Sequence, residues 1–232
     1  FMDSENDLKT EKKWLEEVKN QHMKGLILVP VCSENKELRS ALQGLENQGT
    51  AVVLTEKEVK NAGMDGVFAD EFRGAYEGVC RLIEKGCKKI CIAAGQTDHD
   101  TAVEERCRGC LQALEDNGIS AAEDMVLREA EDITRMFQGK KLPDAFFALN
   151  ETIADLCVKE LFKCKKQGAE KVVFMGMDAE STAKILGEEM LSVERDGRKQ
   201  GKEAAKLLLE AFDTEENDRI RGKRVMIPYK IT

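Results

Sequence analysis

The side chains in this sequence that could do chemistry stand just beyond short aliphatic runs. Thr55 and Glu56 follow Ala51–Leu54, Asn150 follows Ala145–Leu149, Asp178 follows Lys171–Met177, and Arg195 follows a short run ending at Val193. Arg106 lies near the start of the amphipathic stretch after Lys89–Ala94. A carboxylate accepts two hydroxyl hydrogen bonds, an amide both donates and accepts, and a guanidinium offers a planar fork. Together they suit a ligand bearing hydroxyls or carboxylates. Asn150 and Asp178 are equally suited to capping the helices that follow them, and spacing alone does not separate the two roles.

Other chemistries find less support. Cys107-Arg108-Gly109-Cys110 has CxxC spacing, but no second pair accompanies it to complete a tetrahedral zinc site. It also falls inside the stretch Ala102–Asn117, whereas a redox dithiol sits at a helix start directly after a strand. Two cysteines three positions apart on a helix share a face and pack as small apolar groups. Of the two histidines, His22 ends a helical stretch and His99, in Thr97-Asp98-His99-Asp100, reads as a solvated loop residue. No GxSxG elbow, phosphate-binding loop or GxGxxG is present. The expectation is a binding protein without metal or cofactor and without catalysis.

The elements that must position these residues alternate in type. Strand-like runs occur at Gly25–Pro30, Ala51–Leu54, Lys89–Ala94, Ala145–Ala148, Lys171–Met175 and Arg224–Pro228, with a shorter one at Leu191–Val193. Between them lie helical patterns at Asp7–His22, Lys36–Asn47, Asp70–Lys85, Ala102–Asn117, Glu151–Lys166, Ala179–Leu186 and Arg198–Ala211. The first places Leu8, Trp14, Leu15 and Val18 on one side at a period near 3.6. Such alternation predicts an α/β fold with parallel sheets covered by helices, whose ligands bind beyond the carboxyl ends of the strands. Pro30, Pro143 and Pro228 fall at or just outside strand ends, where a missing N–H costs no ladder bond. The charged stretch Asp213–Lys223 reads as a surface loop.

With 232 residues, 42% of them hydrophobic, the chain suits two modest lobes. Its longest apolar run, Gly25 to Val31, is a strand's length and far short of a membrane span. A formal charge of −8 argues against a phosphate-binding face. Eight cysteines in a long aliphatic chain, several within helix or strand patterns such as Cys91, read as reduced cytoplasmic thiols.

Six segments, in register, resemble signatures of the lactose/galactose-repressor family's effector domains. They are Gly25-Leu26-Ile27-Leu28-Val29-Pro30, Glu105-Arg106-Cys107-Arg108-Gly109, Ala145 through Glu151, Val172 through Asp178, Leu191 through Ala205, and Val225-Met226-Ile227-Pro228. The resemblance implies a bacterial regulator's sensor of the type I periplasmic-binding-protein kind, with two lobes and a ligand cleft between them. It places residues 1–86 with 191–212 in an N-terminal lobe lacking its first strand and helix, and 87–190 with 213–232 in a C-terminal lobe. It implies ligand contacts by Arg106, Asn150 and Asp178, and by Arg195 where the family often carries glutamine. Asp70 matches a position that caps the next helix. The region from Glu129 to Lys141 is shorter than the family's usual helix there. The implied partners are a small-molecule effector, typically a sugar or related metabolite, and a second copy in a homodimer. Operator DNA would be read only through a helix-turn-helix segment outside this chain. The alternative is a solute-binding protein of an ABC transporter, which would carry an export leader upstream.

Overall fold

The computed structural model describes residues 2–95, 101–120, 125–139, 141–164, 171–186, 190–214 and 220–232. The chain divides into two compact units, Phe1–Ala69 with Asp196–Ile227 and Asp70–Arg195 with Pro228–Thr232.

The first unit contains α1 (Leu8–Asn20), β1 (Gly25–Leu28), α2 (Lys36–Glu46), β2 (Ala51–Thr55), β3 (Asp65–Ala69), α8 (Gly197–Asp213) and β9 (Arg224–Ile227). Its strands run in the order β1-β2-β3-β9, every pairing parallel. The sheet is covered on both faces, which is why β2 and β3 are buried at every position. Leu15, Leu38, Leu42 and Leu45 of α1 and α2 pack on Val52 and Leu54. Ala204 and Leu207 of α8 pack on Val53, Val67 and Ile227 of the other face. Asp7, Asn35 and Asp196 start the three helices by accepting from Thr10, from Glu37 and Leu38, and from Lys199 backbone N–H groups, each replacing a bond the first turn lacks.

The second unit contains α3 (Glu71–Glu84), β4 (Ile90–Ala93), α4 (Thr101–Asp116), β5 (Val126–Leu127), α5 (Ala130–Gln138), β6 (Ala145–Ala148), α6 (Glu151–Lys163), β7 (Val173–Met177), α7 (Glu180–Leu186), β8 (Met190–Glu194) and β10 (Lys230–Ile231). The strand order is β10-β8-β7-β6-β4-β5, parallel except where β10 runs against β8. Phe137 of α5 stacks on Phe146 of β6 with ring centroids 4.5 Å apart, and Phe146 on Phe174 of β7 at 5.5 Å. These rings fill one side of the sheet. On α4, a Cβ at Gly109 would overlap the carbonyl oxygen of Phe72, so α3 and α4 touch backbone to side with no room for a side chain.

Parallel sheets flanked by helices agree with the sequence reading, and all three prolines stand outside the strands. Several boundaries differ. The run at 191–193 is a full strand, β8, paired with β7 inside the second unit's sheet. The segment at 224–227 pairs with β3 in the first unit, and α3 belongs to the second unit. The expected divisions at 86, 190 and 212 therefore lie at 69, 195 and 227. Backbone pairing sets these limits, and the aliphatic character of a segment does not reveal its partner. No described helix is long and apolar enough to cross a membrane.

Candidate functional site

At the carboxyl end of the second unit's sheet, β7 ends at Met177 and Asp178 follows with φ 52°. An aspartate tolerates this left-handed conformation better than most residues. Its N–H still donates to the carbonyl of Val193 at 2.9 Å, so the sheet holds its backbone while the side chain turns aside. Oδ2 pairs with Arg106 Nη2 at 2.9 Å and Oδ1 with Arg195 Nε at 3.0 Å. The Arg195 N–H also donates to Oδ1 at 3.3 Å. Because α7 begins only at Glu180 and both carboxylate oxygens take arginine donors, Asp178 serves as an ion-pair bridge.

Arg106 sits on α4 with only 4% of its surface exposed. Nε donates to Glu71 Oε2 at 2.5 Å, Nη1 to the carbonyl of Leu149 at 2.5 Å, and Nη2 to Asp178 and to the Tyr229 hydroxyl, both at 2.9 Å. A guanidinium has five N–H donors, so four are taken and one on Nη1 remains. The Tyr229 hydroxyl in turn donates to Glu71 Oε2 at 2.6 Å. Burial by itself would lower the Arg106 pKa, but Glu71, Tyr229 and Asp178 outweigh it and the net direction is upward. Burial, reinforced by Glu71, pushes the Tyr229 phenol up. At neutral pH Arg106 is therefore a cation and Tyr229 a neutral hydroxyl that can both accept and donate.

Asn150 begins α6 by accepting the Ile153 N–H on Oδ1 at 2.9 Å. Its Nδ2 makes no hydrogen bond among the described residues. The amide thus does the capping that sequence reasoning held open and keeps two donors besides. Asp70 also caps, accepting from the Arg73 N–H.

The structure brings Arg106, Asp178 and Arg195 into one network and places Asn150 next to Leu149, whose carbonyl Arg106 holds. Sequence reasoning missed Glu71 and Tyr229. They lie 35 and 123 positions from Arg106, and nothing local marks either as its partner. Cys107 and Cys110 are buried on α4, and burial raises both thiols, Cys110 the further. Thr55, at the end of β2, is buried in the first unit's sheet. His99 lies outside the described residues.

The family described as "Periplasmic binding proteins and sugar binding domain of LacI family" matches residues 2–231. The NTD biosynthesis operon regulator NtdR of Bacillus subtilis (strain 168) is 25% identical over 97% of this chain and 68% of its own length. The HTH-type transcriptional repressor PurR of Haemophilus influenzae (strain PittEE) is 26% identical over 89% of this chain. The chain spans 62% of that repressor. Among solved structures, a LacI family transcriptional regulator from Enterococcus faecium with bound ribose superposes with a TM-score of 0.72. It is 19% identical and covers 95% of this chain and 81% of its own.

Proposed function

Because the chain belongs to the family of periplasmic binding proteins and LacI-type sugar-binding domains, we propose that it is the effector-sensing domain of a bacterial transcription regulator. Its ligand is a small hydroxylated metabolite, most simply a sugar. The observation that carries this reading is the polar set Asp178, Arg195 and Asn150 at the carboxyl ends of β6, β7 and β8, the place where parallel sheets present ligand-binding groups. The side chains of Asp178 and Arg195 retain 18% and 31% exposure, enough to meet a ligand. Asp178 accepts hydroxyls on its remaining lone pairs, Asn150 Nδ2 donates, and Arg195 supplies charge. Arg106 adds at most its one remaining Nη1 donor and chiefly holds Asp178 in place. Such a site binds and orients, and the chain needs neither cofactor nor catalytic group for that role. The relatives named above are regulators, which supports this reading over transport. A cytoplasmic location, a homodimer and operator contact through a separate helix-turn-helix segment follow from the same proposal.

The test is a thermal-shift screen of mono- and disaccharides, ribose and cellobiose included, followed by calorimetric titration of the best ligand. A hydrogen bond to a charged group contributes about 1.5–3 kcal/mol, so Arg195→Ala should weaken binding roughly ten- to hundredfold. Asn150→Asp should also weaken it, since it retains the cap and removes the Nδ2 donors. Unaltered affinity in both variants would exclude this site, and no response to any sugar would exclude this ligand class.

A further inference from the structure

The chain passes between its two units at residues 69–70, 195–196 and 227–228. Each passage is short. Only Asp70 separates β3 from α3, only Arg195 and Asp196 separate β8 from α8, and only Pro228 and Tyr229 separate β9 from β10. In each passage a residue on the second-unit side belongs to the network around Arg106. Glu71 takes its Nε, Tyr229 shares its Nη2, and Arg195 is joined to it through Asp178. The first and third passages are also bonded to each other directly, by the Tyr229 hydroxyl on Glu71. The Tyr229 ring lies against Gly74, where any Cβ would overlap it, and beneath the Arg106 guanidinium at 5.9 Å.

We propose that Glu71 and Tyr229 are positioning residues which, through Arg106, clasp the three inter-unit passages so that these passages loosen together. The physical reason is the shared fork. A guanidinium is planar and rigid, and where it is as buried as Arg106 a donor that loses its acceptor finds no water to replace it. Freeing any one passage therefore disturbs the geometry available to the other two. Three independent contacts would instead let each passage open alone. The inference goes beyond the ligand-binding reading and does not depend on it, because it concerns the unliganded protein.

Amide hydrogen exchange on the full chain without ligand tests it, comparing wild type with Tyr229→Phe and Glu71→Gln. Tyr229→Phe deletes one hydroxyl at the third passage. Exchange should rise several-fold at amides 70–73 and 194–197 as well as at 229–231, with the β6 and β7 amides unchanged. Glu71→Gln should produce the same three-fold pattern from the first passage. Asn35→Ala, which removes the α2 cap in the first unit, controls for general destabilisation and should leave the three passages unlinked. Acceleration confined to the substituted passage, or none, overturns the clasp. The same joint acceleration in Asn35→Ala would overturn it too, by showing ordinary destabilisation.

Discussion

At the scale of single residues, Arg106 and Asn150 call for opposite expectations. From sequence, Arg106 looked like a group awaiting a ligand, while Asn150 suited a ligand and a helix cap equally. The buried guanidinium instead has four of its five donors occupied. Arg106→Ala would leave two carboxylates and a backbone carbonyl short of a donor, and breaking buried pairs of this kind costs about 3–5 kcal/mol. Chemical denaturation should register that loss; a variant as stable as wild type would show the network to be unimportant to the fold. Asn150→Ala removes only a cap, worth about 1 kcal/mol. What the sequence made legible was the pairing of residue types with strand ends, which located Asp178, Asn150 and Arg195. What it could not show was mutual distance. Glu71 hides beside a capping aspartate and Tyr229 behind a proline, and each gains meaning only when the fold brings these two residues, 158 positions apart, within 2.6 Å.

At the scale of elements, the aliphatic runs and helical periods located most of the strands and helices, because burial on both faces writes itself into a short stretch of chain. The exceptions have local causes. Asp65 and Gly66 dilute β3, although both are buried, Asp65 accepting the Lys223 N–H. β5 and β10 have two residues each, too few for any period. α5 lacks a side-chain cap and is held by Phe137 in the ring stack. Glycines within helices differ in what surrounds them. Gly109→Ala must push α4 from the Phe72 carbonyl and should destabilise by about 1–3 kcal/mol. Gly201→Ala, on α8 with open space around it, should stabilise by about 0.5–1 kcal/mol. Paired melts of the two variants would show shifts of opposite sign; equal shifts would contradict the α3–α4 packing described here.

At the scale of the molecule, the proposed homodimer gives a further expectation. A regulator that reads a palindromic operator needs two-fold symmetry. Light scattering of the chain should give twice its mass at micromolar concentration, and a strictly monomeric result would remove that part of the proposal. The number of lobes was legible in length and composition, while their boundaries were not, since a strand's sheet is decided by partners far along the chain. That interleaving has a consequence for biosynthesis. The first unit cannot complete its sheet or cover its second face until α8 and β9 have been translated, and the second lacks Tyr229 and β10 until later still. A nascent chain emerging from the ribosome would therefore hold β3 without its β9 neighbour and the Arg106 network without Tyr229 until the last segments follow, and then finish both units almost at once.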